Sequence, residues 1–195
     1  MHTTMDGRLV SLPERPIARR GLIGSALVGA AGLALPAPAL AAGSEWRLAF
    51  RNVHTGETVD ALFARAGRFV PAGLAELRHG LRDWRTQEAH DIDRNLLGLL
   101  VRLRDRLGVA GPRKIDLISG YRSPHTNAAL RAAGGSHTGV ASKSQHMLGK
   151  ATDIAIPGVP LDTLRRAAVS LQGGGVGFYP RDGFVHVDTA RVRTW

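Results

Sequence analysis

The sequence predicts an α+β domain, a small and mostly antiparallel sheet with flanking helices. Three observations point there. An alternating apolar–polar run and a glycine turn open the folded region, two leucine-periodic segments follow, and the last third returns to short strand-like runs broken by one further helical segment. The 195 residues are enough for one domain of ordinary size.

The elements come in this order. In "EWRLAFRNV", Trp46, Leu48 and Phe50 alternate with Arg47, Ala49 and Arg51, the pattern of a half-buried strand. "HTGE" is a turn, and "TVDALFA" comes back as the second arm of a hairpin. From Pro71 to Thr86, Leu74, Leu77, Leu81 and Trp84 fall at helical spacing. From Asp91 to Leu107, Leu96, Leu97, Leu99, Leu100, Leu103 and Leu107 mark a second amphipathic helix, with Asp91 or Asp93 as its cap. "KIDLISGYRS" is a strand running into a glycine turn, and Thr126 to Ala133 is a short helix. Residues 134–145 are polar and glycine-rich and are expected as a loop. "ATDIAIP" is a strand, Leu161 to Leu171 a third amphipathic helix, "GGGVGFYP" a turn into a strand, and "FVHVDT" the last strand. There is no internal repeat.

Residues 1–41 are expected to be an address rather than part of the fold. Arg19 and Arg20 close a charged region. The apolar stretch from Leu22 to Leu35 is short for a membrane span, which needs about 20 residues. Ala39-Leu40-Ala41 offers the small residues that a signal peptidase reads. The arginine pair before a Gly/Ala-rich core resembles a twin-arginine signal. The mature chain, 42–195, is then expected in the periplasm or outside the cell, as a single domain with no stable membrane span and as a monomer.

Composition limits the chemistry. With no cysteine, any transition metal must be held by His, Asp or Glu. The net charge is +10, and because four arginines and two acids lie in the first 41 residues, +8 remains on the rest. Such a surface suits an anionic partner such as a cell-wall polymer. Aromatics are only 5% and are not interleaved with basic runs, so no nucleic-acid partner is expected.

The candidate site rests on strand geometry. Residues two apart share a face of a strand, so Phe184, His186 and Asp188 point one way while Val185 and Val187 enter the core. Ile154 and Ile156 take the core face of their strand, which turns Asp153 away from it. His146 ends the glycine-rich loop that leads into that strand. If the two strands pair, His146, Asp153 and His186 can converge. Two imidazoles and one carboxylate, with a fourth position open, form the ligand count of a catalytic zinc site. Read singly, His146 is a loop histidine bonded to backbone, and His186 a half-buried strand residue.

A family pattern bears on that choice. "SQHMLGKATD" fills Ser-x-His-x-x-Gly-x-Ala-x-Asp at Ser144, His146, Gly149, Ala151 and Asp153. It resembles the signature of zinc peptidases of the lysostaphin, D-Ala-D-Ala-peptidase and Hedgehog group. "SGYRSPHTN" is similar to the arginine-bearing segment of the D-Ala-D-Ala branch. "LAFRNVHTGE", "HDIDRNLLGLL" and "VGFYPRDGFVHVDTARVRTW" are similar to one exported bacterial subfamily, that of murein endopeptidase K. The resemblance covers nearly all of the mature chain. It implies a Hedgehog/D-Ala-D-Ala-peptidase-like fold and one Zn²⁺ per chain on His146, Asp153 and His186. It further implies hydrolysis of amide bonds in peptidoglycan, with Arg122 and Ser144 binding substrate and Arg122 supporting catalysis.

One departure stands out. Relatives in this group often carry Glu three residues before the last zinc histidine, or His two before it, and here those positions are Gly183 and Phe184. Asp188 is the expected general base; alternatively it orients His186 or Arg122 by hydrogen bond, with Asp182 and His125 as the next candidate bases. The missing Glu also leaves a non-catalytic, zinc-containing wall-binding protein as the alternative function. Nothing in the residues separates D,D from L,D crosslinks.

Overall fold

The structure is a computed structural model, and it describes residues 45–109, 115–134 and 140–195. The expected export signal and the 135–139 part of the glycine-rich loop, with His137, an alternative metal histidine close in sequence to the motif, lie outside these residues.

The chain opens with a hairpin. Strand β1 (Glu45–Asn52) pairs antiparallel with β2 (Thr58–Arg65), with Leu48 opposite Ala61 and Phe50 opposite Val59. The buried Asn52 closes the turn: its Oδ1 accepts from the amides of His54 and Thr55 at 2.9 and 3.3 Å. A two-residue strand, β3 (Arg68–Phe69), adds to β2. Helix α1 (Pro71–Gly80) starts with proline in its first turn. Its Gly73 lies so close to β2 that a Cβ there would stand 1.9 Å from the Leu62 carbonyl oxygen.

Helix α1 ends earlier than the leucine spacing suggests. Leu81 and Trp84 lie beyond it because Asp83 builds a turn of its own, Oδ1 accepting from the Arg85 amide at 3.0 Å. Helix α2 (Arg94–Arg106) is capped by Asp93, whose Oδ1 accepts from the Asn95 amide at 2.9 Å. It buries Leu96, Leu97, Leu99, Leu100 and Leu103, each worth about 2 kcal/mol of apolar burial.

Strand β4 (Ile115–Ser119) then runs parallel to β1, and helix α3 (Pro124–Gly134) comes next. A single 3₁₀ turn at Gln145–Leu148, at the end of the loop expected over 134–145, leads into β5 (Ala151–Ala155). Helix α4 (Leu161–Ser170) precedes β6 (Gly175–Tyr179) and β7 (Phe184–Asp188). A last short strand, β8 (Arg193–Thr194), lies past the run expected to close the fold.

The α+β class is as expected, but the sheet is not small. It has eight strands in the order β3-β2-β1-β4-β5-β7-β6-β8 and is mixed, with parallel pairs at β1–β4 and β6–β8. Ile154, Val176, Val185 and Val187 point from its central strands into the core, where α2 and α4 pack. The opposite face of those strands is free to carry polar groups. Among the described residues, no helix is long and apolar enough to cross a membrane.

Candidate metal centre

One rung of the sheet builds the site. Asp153 of β5 is paired with Ser119 of β4 on one side and His186 of β7 on the other, and His186 is paired with Gly177 of β6. Directly paired residues of antiparallel strands point to the same face. Asp153 and His186 are therefore neighbours by register, as the alternation of "ATDIAIP" and "FVHVDT" implies. A register irregularity between Leu117 and Ser119 brings Ser119, rather than Ile118, opposite Asp153.

His146 arrives from the 3₁₀ turn. Ser144 caps that turn, its Oγ accepting from the His146 amide at 3.3 Å. Gly149 ends it at φ 63°, a left-handed conformation that favours glycine. A Cβ at Gly149 would also stand 2.1 Å from the Asp91 carbonyl oxygen. The Gly149 carbonyl accepts from the Asp93 amide at 2.9 Å, and Asp93 Oδ2 accepts from the Thr189 hydroxyl at 2.7 Å. The cap of α2 thus ties the 3₁₀ turn to the segment after β7. These contacts give the Ser and Gly of the motif their physical reasons.

Hydrogen bonds fix both imidazoles. His146 Nδ1 lies 2.7 Å from the Gly120 carbonyl oxygen, which can only accept, so Nδ1 carries the proton and Nε2 presents a lone pair. His186 Nε2 donates to Asp188 Oδ2 at 3.0 Å, which leaves Nδ1 as the lone pair. The two free nitrogens lie 3.2 Å apart, and Asp153 Oδ1 is 3.2 Å from the first and 2.8 Å from the second. Three acceptor atoms face one another in a buried setting, an arrangement that calls for a cation or a proton between them. Among the described residues this is the one group of three or more His, Asp or Glu that could hold a metal ion. A metal fits it, because each histidine already donates its far nitrogen to a carbonyl or carboxylate, as metal-ligating histidines do.

The charges agree. Burial works against ionisation of Asp153, but His146 and then His186 outweigh it and hold its pKa well below the ordinary carboxylate value. Burial favours neutral His186, yet Asp153 and Asp188 together raise its pKa. Asp153 divides its oxygens, since Oδ2 accepts from Arg122 Nη2 at 3.3 Å. The same Arg122 nitrogen lies 3.4 Å from Ser119 Oγ, while Arg122 Nε is buried with no partner among the described residues.

Asp188 is fully buried and heavily used. Its Oδ1 accepts from the Gly175 and Ala190 amides at 3.0 and 2.9 Å and from Arg193 Nη1 at 3.1 Å. Its Oδ2 accepts from His186 and, at 2.7 Å, from Arg193 Nη2. Burial opposes its ionisation, but these donors, His186 first, hold its pKa well below the ordinary value.

The three ligand candidates open into a cleft also lined by Arg122, Ser144 and Asp182. His125 does not line it. Sequence reasoning did not nominate Tyr179, Arg193 and Trp195, which do. Their signal was the aromatic and arginine content of "GFYP" and "RVRTW", which carries no periodicity to read.

The family described as peptidoglycan L,D-endopeptidase MepK matches residues 40–195. The chain belongs to this family. The peptidoglycan L,D-endopeptidase MepK of Escherichia coli strain K12 is 43% identical over 180 residues, covering 91% of this chain and 96% of that protein. The Haemophilus influenzae protein named "Probable peptidoglycan L,D-endopeptidase MepK" is 45% identical over 148 residues, covering 76% and 77%. No solved structure matches the chain significantly. Membership of the MepK family covers all three ligand candidates and the segments that place them, since each lies within 40–195.

Proposed function

We propose that the chain is an exported, zinc-dependent murein endopeptidase that hydrolyses amide bonds in peptidoglycan peptide crosslinks, with the Hedgehog/D-Ala-D-Ala-peptidase type of zinc fold. The names of its relatives point to the L,D crosslink among those bonds. The observation that carries the reading is the meeting of His146 Nε2, His186 Nδ1 and Asp153 Oδ1 in a cleft, with both tautomers fixed.

Bound there, zinc supplies Lewis acidity toward a carbonyl and toward water. The protein's own groups do the rest. The far nitrogens of His146 and His186 are committed as donors, which leaves His146 Nε2 and His186 Nδ1 as the ligand atoms. Arg122 brings a fixed positive charge beside Asp153 and into the cleft, where it holds a substrate oxygen. Ser144 lines the cleft but spends its oxygen on the His146 amide, so we assign it to positioning His146 ahead of binding substrate.

Of the two roles considered for Asp188, its donor set supports the one that orients His186. All its accepting capacity near the site is engaged by His186 and Arg193. Asp182 is then the acid of the cleft whose carboxylate makes no hydrogen bond among the described residues, and we assign the proton transfer to it. One chain supplies all three ligands, which suits a monomer.

A second reading, a wall-binding protein that holds zinc without hydrolysis, rests on Gly183 and Phe184 standing where relatives in the wider group carry an acid or a histidine. Digestion of murein sacculi, with and without chelator, separates the two. The endopeptidase predicts chelator-sensitive release of uncrosslinked muropeptides by mass spectrometry; binding to sacculi with no release would favour the second. Export through a twin-arginine signal is tested by Arg19→Lys with Arg20→Lys, which should leave the protein in the cytoplasmic fraction. Normal export of that variant would point to the general secretion route.

A further inference from the structure

The cleft contains a hydrogen-bond donor that neither the metal ligands nor Arg122 uses. Trp195 Nε1 lies 2.7 Å from Tyr179 Oη. An indole nitrogen only donates, so the phenol oxygen accepts here, and its own proton is directed elsewhere. No acceptor for that proton is found among the described residues.

Contacts on several sides place the pair, with Trp195 about half exposed at 47%. The Trp195 ring lies on Gly177, where a Cβ would stand 2.7 Å from the indole. Its backbone continues the sheet, Trp195 N donating to Val176 O at 3.2 Å and Phe178 N to Trp195 O at 3.0 Å. The Arg193 guanidinium covers the ring at 4.7 Å, and His186 lies 5.3 Å from it, centroid to centroid. Tyr179 stacks on Phe184 at 4.7 Å, its cross-strand partner. Both rings line the cleft that holds His146, Asp153 and His186.

An amide carbonyl under attack gains negative charge on oxygen and is stabilised by preorganised donors. Arg122 can give only part of its guanidinium, because Nη2 is committed to Asp153 and Ser119 and Nε is buried. A phenol that already accepts one hydrogen bond is a stronger donor of the next. We propose that the Tyr179 hydroxyl donates to the oxygen of the attacked substrate carbonyl, and that the Trp195 indole positions and polarises it. The role rests on the endopeptidase reading above.

Tyr179→Phe keeps the stack on Phe184 and removes only the hydroxyl. On a crosslinked muropeptide its kcat should fall about 10²- to 10³-fold, with KM, metal content and melting temperature unchanged. Trp195→Phe should lose less, and the double variant should be no slower than Tyr179→Phe alone, because Trp195 acts through the hydroxyl. Additive losses would give Trp195 a structural role instead and overturn its half of the proposal. A second readout does not depend on turnover. A phosphinate analogue of the scissile amide, whose tetrahedral oxygens mimic the attacked carbonyl, should bind Tyr179→Phe more weakly by a similar factor in calorimetry. Wild-type turnover with unchanged kcat and phosphinate affinity in Tyr179→Phe would sink the hydroxyl role alone. A wild-type protein that neither cleaves the muropeptide nor binds the phosphinate would remove the endopeptidase reading, and this proposal with it.

Discussion

Asp153 and His186 face each other across adjacent antiparallel strands, Oδ1 to Nδ1 at 2.8 Å, and the far side of each is anchored by an arginine: Arg122 directly on Asp153, Arg193 through Asp188 on His186. The sheet register sets the distance, and the arginines set the charge. Each of these anchors can be removed by a single substitution, and each removal has its own expected signature.

Asp188→Asn should weaken the metal site. The amide has one accepting oxygen where the carboxylate has two, so it cannot serve His186, Arg193 and the Gly175 and Ala190 amides together, and the hold on the His186 ring loosens. Metal affinity should fall about 10- to 100-fold, and activity should return as metal is added. A general base at Asp188 predicts the reverse pattern, near-normal metal with a rate loss of two or more orders of magnitude that metal does not repair.

Arg122→Lys should keep the metal and lose turnover. Lysine retains the charge but not the planar fork that spans Asp153, Ser119 and the cleft. A loss of about 10²- to 10³-fold in kcat/KM is expected on muropeptides. Turnover equal to wild type would remove Arg122 from the site.

Gly149→Ala should unfold the corner that presents His146. The position has φ 63°, and an added Cβ would meet the Asp91 carbonyl oxygen at 2.1 Å. The strain and the clash should cost at least about 2 kcal/mol, roughly 4–8 °C in melting temperature, and metal affinity should fall with it. An unchanged melting curve would show that the corner relaxes freely.

Much of this site is legible in the sequence because period-two alternation states which strand residues share a face. That alternation puts Asp153 and His186 opposite the core, and the motif glycine marks a sharp corner before the strand. Spacing leaves Asp91 and Asp93 as equal candidates for the cap of α2, and only the contacts to Asn95 and Thr189 single out Asp93. The size of the sheet is not legible. The parallel pairing of β1 with β4 joins segments more than 60 residues apart, and no local pattern encodes it. Leucine spacing overstates helix α1 because Leu81 and Trp84 keep the helical period while the Asp83 side chain turns the backbone aside. Tyr179 and Trp195 escape notice for a similar reason. Their importance lies in a contact between β6 and the segment after β7, and neither residue stands in a periodic run.

The central claim is that three named atoms hold one zinc ion. Anomalous scattering measured on either side of the zinc edge, from crystals of the purified protein, tests it most directly. A single strong peak is expected at bonding distance from His146 Nε2, His186 Nδ1 and an Asp153 carboxylate oxygen, about 2.0–2.2 Å from each. A peak bonded through His146 Nδ1 or His186 Nε2, or no peak in this cleft beside a full zinc complement elsewhere, would contradict it.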